Sequence, residues 1–459
     1  MLLKRLFQNL NVEIKGKDTE ITGICSDSRI VAPGNLFIAK GKGAQYITQA
    51  MSNGARAIVT DLYDPFLSVT QIIAPNPQEL EARIASRYYE RPSEKLFCVG
   101  VTGSKGKTTT TYLCRHLLEK LGQKCGLIGT IETWIEHRVL SNFTTHDACA
   151  NQKQLREMVN HQCKAAVLEV SSHGLDQGRV DEIQFDCAIF TNLYPDHLDY
   201  HKTVEQYAAA KKKLFSMART SILNVDSPWS TFMGNGLTVG IENPADIRAE
   251  NIVFNEFGTE FTVDGVQFVT PLMGYYNVYN VLCAIGLGVI KGKRIQEMSR
   301  FFLDFESVPG RLERVPNDQG KHIIVDYAHT GESLAQTLAT LKPIAKQKMI
   351  VVFGCGGNRD KARRTQMAEA AEKFADYSII TTDNPRSEDP EIISQEIKSG
   401  FRTEKYRVIL DRKMAIQEAI AMAKAGDFVV IAGKGHEKVQ IFSHQTVSFD
   451  DVAIAKSCV

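Results

Sequence analysis

Short apolar runs alternate with longer amphipathic stretches along most of the chain. The runs that read as strands are residues 21–24, 36–39, 57–60 and 71–74, then 96–99, 165–170, 187–191 and 221–224, and finally 323–326, 349–354, 377–382 and 427–432. The stretches between many of them carry apolar residues at helical spacing. Continuous apolar strands separated by helices predict parallel sheets covered on both faces, so the pattern predicts an α/β fold.

Two interruptions divide this pattern. Residues 88–93 are polar and contain Pro92, and the pattern restarts after Val308, Pro309, Gly310 and Arg311. A chain of 459 residues also exceeds what one core usually holds. We therefore predict three domains, a small α/β domain at 1–88, a central parallel sheet at 89–308 and a doubly wound, Rossmann-like domain at 309–459.

Composition narrows the class of protein. With 43% hydrophobic residues, 23% charged residues and a net charge of +1, the chain has the profile of a soluble globular protein without general attraction to nucleic acid or anionic membranes. No stretch of 18 uncharged apolar residues is present, which makes the cytoplasm the expected location. The ten cysteines form no Cys-x-x-Cys pair, so we expect reduced and mostly buried thiols.

A glycine loop connects the first central strand to a helix. It runs from Gly103 to Thr108, and Leu113, Leu117, Leu118 and Leu121 follow at helical spacing. Such a loop turns backbone N–H groups and a positive helix end toward a chain of phosphates. Lys107 would then contact the β- and γ-phosphates and Thr108 would bind their Mg²⁺. The Walker pattern expects glycine at position 101, where this chain has Val101, and an ordinary glycine turn is the alternative.

Polar residues follow the central strands where ligands of parallel sheets bind. Glu169 ends an apolar strand, and a carboxylate there is costly unless it is paired. We interpret Glu169 as a Mg²⁺ ligand beside Thr108, with pairing to an arginine or lysine as the alternative. His197, which follows the next strand between Asp196 and Asp199, suits a second metal or phosphate contact, or it is simply a solvated loop residue.

Charged residues mark three further places. By composition, Lys211, Lys212 and Lys213 read as the charged face of an amphipathic helix, an interpretation that is favoured for any two of the three. Arg359 and Arg386 follow two strands of the last domain, where a guanidinium could hold a carboxylate. Each arginine alone could be a surface ion pair, but two at strand ends of one domain favour a shared anionic ligand.

Together these motifs resemble the Mur ligases, ATP-dependent enzymes that build the peptide of bacterial cell-wall precursors. The resemblance covers nearly the whole chain and rests on residues 102–109, 169–173, 192–201, 274–280, 308–311 and 326–330. Residues 27–29 and 33–37 resemble the nucleotide-sugar-binding domain of the family's third-step members. Residues 383–386 are similar to the signature of those that add meso-diaminopimelate.

The resemblance implies roles for individual residues. Residues at ATP would be Gly103, Ser104, Lys105, Gly106, Lys107, Thr108, Thr109, Asn280, Arg311 and Asp326. Residues at the UDP-sugar would be Ser28, Thr144, Thr145, Ser171, Ser172 and Arg179. Residues at the amino acid would be Arg359, Asp383, Asn384, Pro385, Arg386, Gly433 and Glu437. Metal ligands would be Thr108, Glu169, His197 and Lys211, the last as a CO₂-derived carbamate (N6-carboxylysine), and catalytic groups would be Lys107, Lys211 and His197.

The implied reaction joins meso-diaminopimelate to the D-glutamate γ-carboxylate of UDP-N-acetylmuramoyl-L-alanyl-D-glutamate through an acyl phosphate, with ATP and Mg²⁺. The expected protein is a monomer whose partners are small molecules, without nucleic acid or membrane. Alternatives are the same reaction with L-lysine, a relative such as folylpolyglutamate synthetase, and a P-loop NTPase switch that joins nothing. The chain has His146 and Gly331 where the family usually has proline, and Asn358 where it has aspartate.

Overall fold

The structure is a computed structural model that describes residues 1–141 and 143–459. The chain divides into two compact units, which are residues 1–248 with 279–298 and residues 249–278 with 299–459. The first unit contains the predicted N-terminal domain and most of the predicted central one. The domain limits 1–88, 89–308 and 309–459 therefore remain a prediction.

The first unit begins with a five-stranded sheet in the order β1-β5-β4-β3-β2, parallel except for the β1–β5 pair. Its elements are α1 (Leu3–Leu6), β1 (Glu13–Lys15), β2 (Gly23–Cys25), β3 (Asn35–Ile38), α2 (Ile47–Ser52), β4 (Ala57–Thr60), β5 (Thr70–Ile73) and α3 (Pro77–Tyr88). Asn76 caps α3 by accepting from the backbone of Gln78 and Glu79. A 3-10 helix, Ser28–Ile30, follows β2 at the carboxyl edge of this sheet.

A nine-stranded sheet forms the rest of this unit, in the order β14-β13-β12-β11-β6-β10-β7-β8-β9. Its strands are β6 (Phe97–Thr102), β7 (Cys125–Ile128), β8 (Glu132–Trp134), β9 (Arg138–Leu140), β10 (Ala165–Glu169), β11 (Phe185–Phe190), β12 (Ala218–Asn224), β13 (Leu237–Gly240) and β14 (Ile247–Arg248). The helices are α4 (Lys107–Lys120), α5 (Ala148–Asn160), α6 (Ser172–Asp176), α7 (Leu198–His201), α8 (Val204–Ser216) and α9 (Ser230–Met233). Among the described strands of this sheet, the β7–β8 and β8–β9 pairs are antiparallel and the other pairs are parallel.

The central position of β6 fixes where the glycine loop lies. Val101 pairs with Glu169 of β10 on one side and with Ile189 of β11 on the other. The carboxyl ends of all three strands therefore meet at the loop, as the sequence predicted.

The second unit contains a three-stranded sheet, a six-stranded sheet and a short hairpin. A three-stranded antiparallel sheet comprises β15 (Glu250–Asn255), β16 (Gly258–Val263) and β17 (Val266–Thr270). Helix α10 (Tyr275–Ile290) begins among the residues of this unit and continues into those of the first, which also contain α11 (Ile295–Met298).

A six-stranded sheet follows in the order β18-β19-β23-β20-β21-β22, parallel except for β18–β19. Its strands are β18 (Glu313–Val315), β19 (His322–Asp326), β20 (Met349–Phe353), β21 (Tyr377–Ile380), β22 (Tyr406–Val408) and β23 (Phe428–Ala432), and β24 (Val439–Ile441) pairs with β25 (Thr446–Ser448) in the hairpin. The helices are α12 (Gly331–Leu341), α13 (Ala362–Phe374), α14 (Pro390–Lys398), α15 (Arg412–Met422) and α16 (Asp451–Lys456). Apolar clusters cover both faces of this sheet, which confirms the doubly wound α/β fold.

Two further sequence expectations meet the structure here. All ten cysteines are free thiols, and nine of them are buried. No helix in the described ranges is long and apolar enough to cross a membrane.

Candidate active site

The glycine loop between β6 and α4 has a backbone that only glycine tolerates. Gly103 has φ of 154° and Gly106 has φ of 85°. A Cβ on Gly103 would lie 1.9 Å from Thr191 Oγ1, and one on Gly106 would lie 2.6 Å from Asn280 Oδ1. Asn280 also accepts from Thr110 Oγ1 at 3.0 Å, so α10 is held against the start of α4. The loop therefore presents its backbone at the N-terminus of a 14-residue helix, where phosphate binds well.

Two lysines converge on this loop. Lys107 Nζ donates to the carbonyl oxygens of Gly103 at 2.8 Å and Ser104 at 3.1 Å. Lys211 Nζ, on α8, donates to the same Gly103 oxygen at 2.9 Å. The structure thus brings together the two predicted catalytic lysines.

Lys211 differs sharply from the two lysines that follow it. Its side chain is 1% exposed, whereas Lys212 and Lys213 are exposed. Burial, together with the charge of Lys107, holds the pKa of Lys211 well below its usual value, although Asp196 acts in the opposite direction. A lysine with a lowered pKa has a larger share of neutral amine, which is the form that reacts with CO₂.

A buried carboxylate lies beside the helix start. Glu169 is 1% exposed and accepts from Thr108 Oγ1 at 3.0 Å. It also accepts from the backbone N–H of Thr130 at 2.8 Å and from Thr130 Oγ1 at 3.0 Å. The described partners of Glu169 are therefore hydroxyl and amide groups, which differs from the alternative of an arginine or lysine pair. This carboxylate and the neighbouring hydroxyl are the hard oxygen ligands that Mg²⁺ prefers, so the residues fit the ion expected with a bound nucleotide.

His197 lies farther out. Its side chain is about half exposed, and its Nε2 is 3.8 Å from Asp196 Oδ2. The ring centroid is 4.9 Å from that of His173 and 6.1 Å from that of Tyr207. Tyr207 connects this group to the loop, because its hydroxyl lies 3.0 Å from Ser104 Oγ and Lys211 Nζ lies 4.5 Å from its ring centroid. His197 and Lys211 therefore both lie near the ring of Tyr207.

Several residues predicted to hold the UDP-sugar peptide surround the end of β10. Thr145 Oγ1 lies 3.0 Å from the carbonyl oxygen of Glu169 and 3.1 Å from Ser171 Oγ, and Arg179 Nη1 donates to the carbonyl of Thr145 at 2.8 Å. Thr144 Oγ1 is 3.0 Å from Thr130 Oγ1.

The remaining two members of that predicted set are buried. Ser172 begins α6, and its hydroxyl has no hydrogen-bond partner in the described part of the chain. Ser28 lies at the separate five-stranded sheet, where its hydroxyl donates to Gln49 Oε1 at 2.7 Å.

The second unit places Arg311 and Asp326 together. Asp326 Oδ2 accepts from the backbone of Leu312 at 2.8 Å, while Oδ1 accepts from Ala328 N and Thr337 Oγ1, both at 3.0 Å. Burial raises the pKa of Asp326. Both carboxylate oxygens of Asp326 thus accept hydrogen bonds from within the protein, which favours a role in holding the turn that carries Arg311. Contact of Asp326 with ribose remains a prediction.

Three neighbouring strand ends bring the predicted amino-acid residues together. Strands β23, β20 and β21 lie side by side, and they are followed by Gly433, by Arg359 and by Arg386. Arg386 has φ of 53°, an unusual conformation for a residue with a side chain, and its Nη1 donates to Gly357 O at 2.7 Å. Arg359 is exposed.

Asn384 and Glu437 form the polar floor of this edge. Asn384 Nδ2 donates to Glu437 Oε2 at 2.8 Å. Burial raises the pKa of the neighbouring Asp383, against the opposing charges of Lys434 and Arg412. An amino acid carries a carboxylate and an ammonium group. At this edge, Arg359 and Arg386 could bind the carboxylate, and Glu437 could bind the ammonium group.

Sequence reasoning missed three residues of these sites, Thr130, Tyr207 and Lys434. Thr130 follows β7 at the carboxyl edge of the sheet, and that position was the available signal. Tyr207 lies one helical turn before Lys211, so helical spacing could have found it. Lys434 lies between two glycines, but its contacts depend on the packing of three strands.

Comparison with known proteins agrees with this geometry. The model of the Mur ligase middle domain matches residues 101–288, and that of the Mur ligase glutamate ligase domain matches residues 310–435. The UDP-N-acetylmuramoyl-L-alanyl-D-glutamate--2,6-diaminopimelate ligase of Chlamydia felis is 43% identical over 476 residues, covering 98% of both chains.

Solved structures give the same result. One of a UDP-N-acetylmuramoyl-L-alanyl-D-glutamate--2,6-diaminopimelate ligase superposes with a TM-score of 0.72 at 32% identity, covering 100% of this chain and 98% of the other. The MurF ligase of Thermotoga maritima in complex with ADP shares the fold, with a TM-score of 0.64 at 19% identity over 96% of this chain and 98% of its own. The two domain matches and the relatives that align over 98% of the chain show that this chain belongs to the Mur ligase family.

Proposed function

We propose that this protein is an ATP-dependent ligase that joins the amine of meso-diaminopimelate to the D-glutamate γ-carboxylate of UDP-N-acetylmuramoyl-L-alanyl-D-glutamate. The observation that carries the proposal is the convergence of Lys107, Lys211, Thr108 and Glu169 on one glycine loop. The full-length relatives named for this reaction support the choice of substrates.

The first chemical problem is that two anions must approach each other. A carboxylate resists attack by an amine, and its phosphorylation by ATP creates an acyl phosphate with a good leaving group. Lys107 supplies a point charge at the phosphates, and the loop N–H groups hold them at the start of α4. Magnesium, when bound, neutralises charge that develops on the transferring phosphoryl group.

Four residues are proposed to hold that metal. Thr108 and Glu169 offer oxygen atoms at the helix start, and His197 offers a ring nitrogen. Lys211 is proposed to react as a neutral amine with CO₂, because burial and Lys107 disfavour its ammonium form. Carbamate formation would turn the buried Lys211 amine into an anionic oxygen ligand. Thr108, Glu169 and His197 do not offer a ligand from that side of the loop.

The amino acid is proposed to bind at the strand ends of the second unit. Arg386, and Arg359 beside it, would pair with a carboxylate, and Glu437 with Asn384 would receive an ammonium group. Diaminopimelate has a second carboxylate that lysine lacks, so a guanidinium in this place favours diaminopimelate. The other amine of diaminopimelate, in its neutral form, then attacks the acyl carbon, and it loses a proton as the amide forms and phosphate leaves.

Residues at the end of β10 are proposed to hold the nucleotide-sugar dipeptide. Thr144, Thr145, Ser171, Ser172 and Arg179 surround Glu169, so a dipeptide bound there would have its γ-carboxylate near the phosphate loop. Ser28 is proposed to contact the uridine end. All substrates are water-soluble cytoplasmic metabolites in this scheme, and we propose that the protein acts there as a monomer.

The proposal is tested by ADP release from the purified protein. The assay contains ATP, Mg²⁺ and UDP-N-acetylmuramoyl-L-alanyl-D-glutamate, with diaminopimelate, lysine or no amino acid. We expect ADP in amounts equal to the ligated product only with diaminopimelate. Efficient ligation of lysine would establish the alternative amino acid. Hydrolysis of ATP that needs neither carboxylate nor amine would instead identify a nucleotide-driven switch.

A further inference from the structure

A fully buried lysine lies beneath the proposed amino-acid site. The side chain of Lys434 is 0% exposed, although it carries a charge. Its Nζ donates to Asn384 Oδ1 at 2.9 Å and to Glu437 Oε2 at 3.0 Å. Burying an ammonium group costs free energy unless hydrogen-bonding partners compensate it. Both partners of Lys434 are proposed contacts of the amino acid, which suggests that the buried charge serves the site.

The backbone around Lys434 is built to point this side chain inward. Gly433 has φ of 114° and Gly435 has φ of 53°. A Cβ on Gly433 would lie 2.6 Å from Asp383 Oδ2, and one on Gly435 would lie 2.8 Å from the carbonyl oxygen of Gly310. Gly433 and Gly435, on either side of Lys434, therefore adopt conformations that are unfavourable to other residues.

Lys434 and the backbone of Ile441 together fix which way the amide of Asn384 faces. Asn384 Oδ1 accepts from both Lys434 Nζ and the backbone N–H of Ile441, the latter at 3.1 Å. An NH₂ group could not accept from either donor, so the amide cannot turn over. Its Nδ2 must then face Glu437, to which it donates at 2.8 Å.

The same lysine fixes one oxygen of Glu437. Oε2 accepts from both Lys434 and Asn384, which leaves Oε1 as the oxygen available to a substrate ammonium group. Burial alone would raise the pKa of Glu437, but Lys434 and the hydrogen bonds more than offset this effect and lower it. The carboxylate is thus held in its charged form and in one orientation.

We infer that Lys434 is a positioning residue for amino-acid binding, which acts by orienting Asn384 and Glu437 and without touching the substrate. This inference rests on the proposed function and adds to it the residue that organises the ammonium side of the site.

The test is Lys434→Met, which keeps the length of the side chain but removes its charge and its hydrogen bonds. We expect KM for diaminopimelate to rise about 10- to 100-fold, with KM for ATP and for the nucleotide-sugar dipeptide within about twofold of the parent. The matched control is Lys438→Met, because Lys438 lies on the same segment but pairs with Asp450 at 2.8 Å. The control should leave all three KM values within about twofold.

A pH profile separates positioning from mere stability. Because Lys434 lowers the pKa of Glu437, its removal should move the acid limb of kcat/KM for diaminopimelate to higher pH. The charged and titratable groups facing Glu437 include Lys434, His436, Tyr327, Asp383 and Arg412. Lys434→Met changes the first and keeps the others, whereas a general loss of stability would lower activity without moving the limb.

The double variant Lys434→Met with Glu437→Gln covers the case in which the single variant does not fold, since it removes both partners of the buried pair. Asn384 keeps its bond from the backbone N–H of Ile441 in both variants, so, if Lys434 acts through Glu437, the double variant and Glu437→Gln should have KM values for diaminopimelate within about threefold. A further tenfold loss in the double variant would overturn the inference, as would an unchanged KM and pH limb in Lys434→Met. Absence of ligation by the unaltered protein would instead refute the proposed function.

Discussion

Arg386 provides the sharpest test of amino-acid selection. Its backbone is held in an unusual conformation, its N–H donates to Ile441 O at 2.9 Å, and its Nη1 donates to Gly357 O at 2.7 Å. These contacts fix the guanidinium at the strand edge before any ligand arrives. Replacement by alanine therefore removes an oriented charge and leaves the carboxylate of diaminopimelate without that partner.

The size of the effect follows from the kind of contact. A hydrogen bond to a charged group contributes about 1.5–3 kcal/mol, and a guanidinium can make two to one carboxylate. Arg386 is only half-buried, so solvent reduces the total, and about 2–4 kcal/mol is a reasonable range. That range corresponds to about 30- to 1,000-fold in kcat/KM.

The assay compares kcat/KM for diaminopimelate and for lysine in Arg386→Ala. We expect the diaminopimelate value to fall by that factor while the lysine value stays within about threefold, so that the ratio between the two collapses. Arg407→Ala is the control, because Arg407 forms an exposed pair with Glu418 in the same unit. An unchanged ratio in Arg386→Ala would show that selectivity lies elsewhere.

Three other changes have defined outcomes. Lys107→Ala should lower ADP release by at least about 100- to 1,000-fold because a charge at the transferring phosphate is lost, and near-normal turnover in a coupled assay would refute its role. Lys211→Ala should lose activity that a short-chain carboxylate such as formate partly restores in the same assay, and a fully active variant would exclude the carbamate. Arg412→Met should lower the free energy of unfolding by about 3–5 kcal/mol in a denaturant titration, because it leaves Asp451 buried without its bidentate partner, and a loss under 1 kcal/mol would contradict that reasoning.

The phosphate loop could be predicted almost completely, because a strand, a glycine turn and a helix are adjacent in the chain. The departure at Val101 also has a physical explanation. Strand β6 continues through Thr102, so Val101 is buried in the sheet between β10 and β11 and needs no special backbone conformation. The turn begins only at Gly103, where φ becomes positive.

Composition predicted how many of the three consecutive lysines are solvated, but helical spacing is needed to tell which one is buried. Three consecutive lysines suggest a solvated face, and that is correct for Lys212 and Lys213. Lys211, however, follows Tyr207 by four residues and precedes Leu214 by three, which puts it on the buried face of α8. Its contact with Gly103 joins residues 108 positions apart, which no local pattern reveals.

The residues that depart from the family pattern fit their surroundings. Asn358 has φ of 55°, and asparagine tolerates that region better than most residues. A Cβ on Gly331 would lie 2.5 Å from Gln366 Cβ, so the glycine matches the close approach of α13. His146 Nε2 lies 3.0 Å from Ser141 Oγ, so the histidine has a polar partner. Only the approach of Gln366 to Gly331 joins residues that are far apart in the chain, and no local pattern predicts it.

The most direct test of the central claim follows oxygen from the carboxylate. UDP-N-acetylmuramoyl-L-alanyl-D-glutamate labelled with ¹⁸O in its γ-carboxylate is incubated with the protein, ATP, Mg²⁺ and diaminopimelate, and the released phosphate and the product are analysed by mass spectrometry. An acyl-phosphate route transfers one ¹⁸O to each phosphate and yields one diaminopimelate-extended nucleotide per ADP. Phosphate without ¹⁸O, or ADP without the extended nucleotide, would contradict the account.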